Sequence, residues 1–295
     1  MTLHNFLSRR SALTPVLALT TLTGAGCLRL SADYGDYVDR QEKRFPVTGI
    51  PDISITADDA SIAMRAFEGS EVVLIVERRS DTEDGLKDIS VDANQASNRV
   101  TVNVRRSQQF RGLWYNHRSA RVTLLVPESS NISANSGDGS LETTGIRGHI
   151  VLHTDDGSVR GERLNGKLDV TTNDGSIRLE GVNGTVDAAT EDGSIVTSGQ
   201  LSGLRLRSSD GSVTVRLDRG SQPSADWEIT TKDGSVRLSV PDDFNADLDA
   251  HTGDGTIRIN TPGHHGNAKP SLTARLGSGG RTVRLRTNDG AITVQ

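Results

Sequence analysis

The sequence predicts an all-β protein that forms a single β-solenoid (parallel β-helix-like) with about 18 residues in each coil. Three observations predict it: an Asp-Gly dipeptide that returns at a fixed interval, apolar residues that alternate around it, and a composition poor in large apolar side chains. Hydrophobic residues make up 34% of the 295 residues, and aromatic residues only 3%. Such a composition suits many thin layers, each buried by its neighbours, better than one thick globular core.

The Asp-Gly dipeptide recurs eight times from residue 138 onward. The first five copies are separated by steps of 18 residues, and the later ones by steps of 23, 21 and 35. Self-similarity at a fixed short period is typical of stacked repeats, in which each repeat contacts its neighbours. The turns should therefore place a ladder of aspartates along one edge of the stack: Asp138, Asp156, Asp174, Asp192, Asp210, Asp233, Asp254 and Asp289.

Apolar residues recur two positions after each glycine, and four and six positions before each aspartate. Around Asp174 these are Ile177, Val170 and Leu168, while Thr172 occupies the intervening position, where Ser or Thr recurs. Alternation with a period of two is typical of strands. Each coil should therefore hold two short strands, joined by a turn in which glycine permits a positive φ. Equivalent strands of successive coils should pair in parallel, roughly 4.8 Å apart.

The first 26 residues have the pattern of an export signal. A short polar stretch that ends in two arginines precedes a mildly apolar stretch of small residues, which is too short to span a membrane. Cys27 follows and is the sole cysteine, so an internal disulfide is excluded. We expect three regions: a lipoprotein signal peptide at 1–26, a linker at 27–45 and the solenoid domain at 46–295.

Cys27 resembles the lipid-modified cysteine of bacterial lipoproteins, because it directly follows small residues at the end of the apolar stretch. A lipid there would anchor the chain to a membrane and place its body in the cell envelope, either in the periplasm or on the outer surface. The alternative is a cysteine that happens to follow an ordinary signal cut, which would leave an exported protein without an anchor.

The sequence before residue 128 fits degenerate copies of the same repeat. Asp59-Ala60-Ser61-Ile62 stands where Asp-Gly-Ser-Ile would stand, and alternating strands are expected over 71–79 and 98–106. These copies should cover one end of the stack, whereas the chain stops at Gln295 directly after an Asp-Gly turn. Because an uncovered strand edge invites pairing with another chain, we expect end-to-end self-association.

The combination resembles the bacterial "putative adhesin" family of extracytoplasmic β-strand-repeat domains of unknown function, and the related head domain of autotransporter adhesins. Three features carry the resemblance: the early "SITADDASIAMRAFEGSEVVLIVERR", the "VP" stretch that leads to "LDAHTGDGTI", and the serial Asp-Gly-Ser/Thr-Val/Ile. The resemblance covers roughly residues 46–295. It implies a β-helical solenoid, it gives adhesin as a label only, and it transfers no catalytic residues.

The aspartate ladder raises an electrostatic question, because like charges about 4.8 Å apart repel by on the order of 1 kcal/mol in water. Each carboxylate can accept hydrogen bonds from its own turn amides, or a cation can bind between coils, as in calcium-binding β-rolls. Calcium takes about six to eight oxygen ligands, and no second ligand residue recurs at a fixed position of the repeat. Turn structure is therefore favoured and no metal is assigned. The weak calcium candidates are Asp155, Asp156, Glu191 and Asp192.

A second unusual segment is an aromatic cluster in a chain that is poor in aromatics. Phe110, Trp114 and Tyr115 lie within six residues, with Arg111 and Arg118 beside them. Such a cluster could stack on sugar rings or anchor a partner. The favoured interpretation is a loop that covers an edge of the solenoid.

His264 and His265 lie in a polar insertion that we expect to be a surface loop. Two adjacent histidines without a third ligand are a weak metal signal.

Several function classes are disfavoured by the sequence. A formal net charge of −5 does not suit electrostatic binding to nucleic acid. A polysaccharide-cleaving β-helix requires acidic residues that are grouped in one groove. Here the acidic residues instead recur at the turn position of each repeat. We therefore expect no enzyme and no cofactor, but an envelope-anchored solenoid for adhesion or surface scaffolding, with a protein or glycan partner of unknown identity. The alternatives are a periplasmic partner protein in envelope stress or signalling and a polysaccharide-acting enzyme.

Overall fold

The protein is an all-β structure with a solenoid-like arrangement, seen in a computed structural model that describes residues 28–31, 37–106 and 118–295. Only the backbone is described for 28–31. The 24 strands join in one continuous sheet, and the described ranges contain a single helix of five residues. The all-β prediction is confirmed.

Short strands follow one another along the chain, and the helix interrupts them once. The first part contains β1 (Leu28–Ser31), β2 (Tyr37–Pro46), β3 (Asp52–Ala57), β4 (Ser61–Phe67), β5 (Glu71–Ser80), α1 (Glu83–Lys87), β6 (Ile89–Ala96), β7 (Arg99–Arg106) and β8 (Arg118–Pro127). The middle contains β9 (Asn131–Ser136), β10 (Leu141–Thr144), β11 (Arg147–Thr154), β12 (Val159–Glu162), β13 (Asn165–Thr172), β14 (Ile177–Thr190), β15 (Ile195–Ser208) and β16 (Val213–Leu217). The last part contains β17 (Trp227–Thr230), β18 (Val236–Ser239), β19 (Ala246–Thr252), β20 (Ile257–Thr261), β21 (His264–Ala268), β22 (Ser271–Leu276), β23 (Thr282–Thr287) and β24 (Ile292–Val294).

The strands form two faces whose buried side chains share one core. The first face runs β7, β3, β9, β11, β13, β14, β15, β17, β23, β19, and every neighbouring pair is parallel. The second face runs β8, β4, β10, β12, β14, β15, β16, β18, β24, β20, again in parallel. β14 and β15 are long enough to belong to both faces. We call a first-face strand and the second-face strand that follows it a layer.

The register of the pairing follows the apolar columns of the sequence. On the second face Leu141 pairs with Val159, Val159 with Ile177, and Ile177 with Ile195. All four side chains are at most 1% exposed. Burying an aliphatic side chain of this size stabilises the fold by about 1.5–3 kcal/mol, so each layer is held chiefly by the apolar residues that it stacks on its neighbours.

Two layers are out of chain order, one near each end of the stack. The C-terminal layer, β23 with β24, lies between the layer β17–β18 and the layer β19–β20, so that Val283 pairs with both Trp227 and Leu248. At the other end, β3–β4 lies between β7–β8 and β9–β10. The expectation that the C-terminal coil forms an uncovered end of the stack is therefore wrong.

Antiparallel strands cover both ends of the stack. β22 pairs with β19 and β21 with β20 at one end, while β6 pairs with β7 and β5 with β8 at the other. His264 and His265 thus lie in β21 rather than in a loop. Residues 37–45, expected as linker, form most of β2, which pairs with β5 along its whole length. End-to-end association stays a prediction, and it now concerns the outer edges of β21 and β22.

Candidate functional site

The aspartate ladder lies at the corner where each first-face strand turns into the second face. Asp156 and Gly157, for example, fall between the end of β11 and the start of β12. The eight carboxylates are all exposed. Because the C-terminal layer is inserted, their order in space is Asp138, Asp156, Asp174, Asp192, Asp210, Asp233, Asp289, Asp254.

Buried hydroxyl groups, rather than the carboxylates, bind the turn backbone. The Thr172 hydroxyl lies 3.0 Å from the carbonyl oxygen of Asp155 and 3.1 Å from that of Gly157, and it accepts a hydrogen bond from the Gly175 amide at 3.2 Å. The same bonds recur at Thr154, Thr190 and Thr231. The Ser or Thr column of the sequence therefore has the role that we expected of the aspartates.

The turn glycines are required because the backbones of adjacent layers approach closely there, and not because the turn needs a positive φ. None of the eight glycines that follow the ladder aspartates has a positive φ, contrary to our expectation. A Cβ at Gly175 would instead lie closer than 3.0 Å to the carbonyl oxygen of Gly157 in the adjacent layer. Positive φ occurs at the opposite corner, at Gly166 (122°) and Gly184 (141°).

The ladder carries largely uncompensated negative charge. Dehydration at the turn, together with the charges of Asp174, Asp138 and Asp155, raises the pKa of the Asp156 carboxyl above its ordinary value. Of the eight ladder aspartates, only Asp233 has an ion-pair partner within the described ranges, with Lys232 at 3.8 Å. This row is therefore a negative stripe whose members repel one another.

The weak calcium candidates gain no further ligand from the fold. Asp155, Asp156, Glu191 and Asp192 are all exposed, and Asp155 lies 3.4 Å from the imidazole of His153. Within residues 37–106 and 118–295, no group of three or more His, Cys, Asp or Glu is arranged to hold a metal ion.

Most of the aromatic cluster and the lipidation candidate lie outside the described residues. These are Cys27, Phe110, Arg111, Trp114 and Tyr115. Arg118 is described: it opens β8, and its guanidinium lies 2.8 Å from the carboxylate of Asp88, with only 17% and 15% of the two side chains exposed. Arg118 therefore ties β8 to the segment that follows α1.

The outer surface of the first face carries a charged row that sequence reasoning missed. It has one residue per strand, paired in register. In spatial order the row reads Asp169, Asp187, Arg205, Glu228, Arg284, Asp249. The signal was present in the sequence, because each of these residues stands five positions before a ladder aspartate.

From Asp187 onward the sign of the charge alternates along this row. Arg205 lies 3.4 Å from Asp187 and 3.8 Å from Glu228. Arg205 therefore attracts both of its neighbours in the row, in contrast to the members of the aspartate ladder, while Arg284 pairs with Asp226 and Asp249 with Arg286 outside the row.

A polar cluster stands at the Asp169 end of the row. His149 Nε2 and Lys167 Nζ lie 2.7 and 2.8 Å from Asp169 Oδ2. Partial burial raises the pKa of the Asp169 carboxyl, but the hydrogen bonds from His149 and Lys167 and their charges outweigh it, so the pKa lies below its ordinary value.

A shallow groove, which we call the outer furrow, runs beside the charged row. It consists of two cavities of about 400 and 540 Å³ that share Arg284. Together they cross seven adjacent strands, namely β13, β14, β15, β17, β23, β19 and β22. Between the charged side chains the furrow is lined by the small residues Thr185, Gly203 and Thr273 and, beneath them, by buried apolar residues of the core.

These features define the class of protein, a solenoid-like all-β stack whose outer surface presents rows of side chains at strand spacing. Residues 50–295 match the family model described as Toastrack DUF4097, and the chain belongs to this family. The match confirms the predicted resemblance to the "putative adhesin" domains of unknown function.

Three solved structures are similar to the chain. A "putative cell adhesion protein" from Clostridium sporogenes is 11% identical, with 86% of this chain and 98% of that chain covered and a TM-score of 0.28. A "putative adhesin" from Bacteroides fragilis is 12% identical, with 86% and 95% covered and a TM-score of 0.38. Another "putative adhesin", from Parabacteroides merdae, is 10% identical, with 87% and 96% covered and a TM-score of 0.34.

No curated protein matches the chain. Among the described residues, there is no helix with the length and apolar character needed to cross a membrane.

Proposed function

We propose that this protein is a non-catalytic, envelope-anchored solenoid that serves adhesion or surface scaffolding. Its functional surface is the long outside of the stack rather than one enclosed site. The observation that carries the proposal is the extent of the outer rows: the charged row crosses six strands in register, and the furrow beside it crosses seven. Repeat stacks of this kind typically bind partners along extended surfaces.

The proposed unit of this stack is a coil of about 18 residues that turns at Asp-Gly. The pairing of Leu168 with Val186 and of Val186 with Leu204 supports this period. Ten parallel layers would give a rod of about 43 Å at roughly 4.8 Å per spacing. A rigid rod of this length holds a binding surface away from the point where the chain is anchored.

We propose that a lipid on Cys27 supplies the anchor and that the protein is exported to the cell envelope. β1 begins at the next residue, Leu28, and pairs with β2, which in turn pairs with β5 at the N-terminal end of the stack. This arrangement would hold that end near the membrane. The end that carries β21 and β22 would then project outward.

The proposal is tested by the attachment of cells to surfaces. A strain that lacks the protein is compared with strains restored by the wild type or by Cys27→Ser, on plain and matrix-coated surfaces. We expect attachment to fall without the protein, to return with the wild type and to stay low with Cys27→Ser, which releases the protein from the cell. Equal attachment by all strains would overturn the adhesive role and would favour a periplasmic partner protein instead.

A further inference from the structure

We propose that the outer furrow binds one strand of a neutral linear polysaccharide, laid along the axis of the stack. This inference rests on the proposed binding role and names the chemistry of the partner. The protein would contact the sugar hydroxyls through the charged row, without cleaving the chain.

The shape of the furrow requires an extended polymer. The furrow crosses seven strands, which is six spacings or about 29 Å at roughly 4.8 Å each. It is open along its length, and Thr185 on β14 and Gly203 on β15 leave that part of its floor free of long side chains. A compact small molecule would cover only one of the two cavities, whereas a chain of about six sugar units would cross both.

The charges of the furrow favour a partner that is uncharged but rich in hydroxyl groups. From Asp187 to Asp249 the row alternates in sign, and at its other end Lys167 lies 2.8 Å from Asp169 and offsets its charge, so no long stretch of the row attracts a polymer of one charge. Carboxylates accept hydrogen bonds and guanidinium groups donate them. A sugar hydroxyl can do both, so it can bind at every strand whatever the sign of the side chain there.

The spacing of the row also distinguishes a sugar chain from a peptide. The row offers one charged group per strand, roughly every 4.8 Å, whereas an extended peptide advances about 3.3 Å per residue and would lose register. A hexose unit in an extended polysaccharide is close in length to one strand spacing. The apolar residues that line the furrow, Val186, Leu204, Trp227 and Leu248, are each at most 4% exposed, so they offer no anchor for peptide side chains.

The test uses neutral linear hexasaccharides and the matching disaccharides of β-1,4-linked glucose and β-1,4-linked mannose, titrated calorimetrically into the pure protein. We expect at least one hexasaccharide to bind at least tenfold more tightly than its disaccharide. Thr185→Trp should weaken that binding at least tenfold, because the indole would fill the furrow. Thr214→Trp is the matched control, since Thr214 is a half-buried threonine on the second face, and it should bind like the wild type.

A second variant, Arg284→Gln, removes the guanidinium group that both cavities share, and it should also weaken hexasaccharide binding. It keeps the test valid if Thr185→Trp unfolds. The proposal is overturned if no hexasaccharide binds, if the disaccharide binds equally well, or if both furrow variants bind like the wild type. Selective binding of a charged peptide in place of the sugars would also overturn it. None of these results decides whether cells lose attachment without the protein, so the two proposals fail independently.

Discussion

The hydroxyl of Thr172 lies 3.0 Å from the carbonyl oxygen of Asp155 in the adjacent layer, and this contact joins two turns of the stack. The same hydroxyl accepts a hydrogen bond from the amide of Gly175 in its own turn. A buried side chain thus bonds backbone groups of two layers, including the buried carbonyl of Gly157 and the buried amide of Gly175. The row of Ser and Thr residues is therefore a structural seam, and it places the aspartates on the outside of each turn.

Replacing Thr172 by valine should destabilise the protein. The substitution keeps the shape of the side chain but removes the hydroxyl, which leaves the Gly175 amide without its partner in a buried site. We expect the free energy of unfolding to fall by about 1–3 kcal/mol. Equilibrium denaturation in urea would measure the change.

Thr197→Val is the matched control for that substitution. Thr197 is fully buried, but its hydroxyl has no hydrogen-bond partner among the described residues. Exchanging an unpaired buried hydroxyl for a methyl group should leave stability unchanged or raise it by up to about 1 kcal/mol. Equal losses in the two variants would contradict a structural role for the hydroxyl bonds.

Gly175→Ala should also destabilise the stack. The added methyl group would press on the carbonyl oxygen of Gly157, which is backbone and cannot move aside without shifting a layer. We expect a loss of about 1–3 kcal/mol, as for other overpacked sites. In the control Gly203→Ala, the nearest atom is the Thr185 Cγ2 at 3.0 Å, at the end of a side chain that can rotate. A smaller loss at Gly203 than at Gly175, read from thermal unfolding, would support this account.

The raised pKa of the Asp156 carboxyl predicts a specific dependence of stability on pH. Because the folded pKa lies above the ordinary 3.8, the fold favours the protonated form, and that contribution to stability is lost as pH rises through the folded pKa. Asp156→Asn should therefore raise the melting temperature at pH 7 and change it little at pH 3. Added salt should shrink the gain at pH 7, because it screens the repulsion among exposed aspartates. A variant less stable than the wild type at pH 7 would refute the repulsion.

Asp169→Asn should show the opposite sign. The pKa of Asp169 is lowered, so its charged form contributes stability above the ordinary value of 3.8, and that contribution is lost as pH falls through the folded pKa. The substitution should lower the melting temperature at pH 7 and have little effect at low pH. The same pair of melting curves at pH 7 and pH 3 would measure it.

Removing residues 282–295 should destabilise the protein strongly. The loss should exceed that expected if the C-terminal layer were the outermost layer of the stack. β23 and β24 lie between two other layers, so their loss would uncover the apolar rows on both sides, including Trp227 and Leu248. We expect residues 227–276 to become sensitive to limited proteolysis and the melting temperature to fall sharply. A truncated chain that resists protease as the wild type does would contradict the inserted position.

Much of this architecture could be predicted, because a stacked fold repeats its environment at fixed intervals. Leu168, Val170 and Ile177 were predicted as interior positions from their columns, and all three are buried. The aspartates were assigned to turns for the same reason. Alternation indicates which side chains point inward, and the repeat indicates which residues are equivalent.

The order of the layers could not be predicted in the same way. Val283 and Leu285 fit the interior columns equally well beside any layer, so the columns do not determine which strand they pair with. That choice depends on the length of chain between Asp254 and Asp289, which forms two covering strands before it returns. The outer furrow was missed for a related reason, since its charges alternate in sign and so show no repeated residue type.

The central claim, an exported protein that stands on the outside of the cell envelope, is tested most directly by protease shaving of intact cells that carry the wild type or Cys27→Ser. The account predicts that the wild type is cleaved from intact cells and that Cys27→Ser is released into the medium. A wild-type protein that resists the protease until the envelope is opened would contradict the surface location and would direct the search to partners in the periplasm.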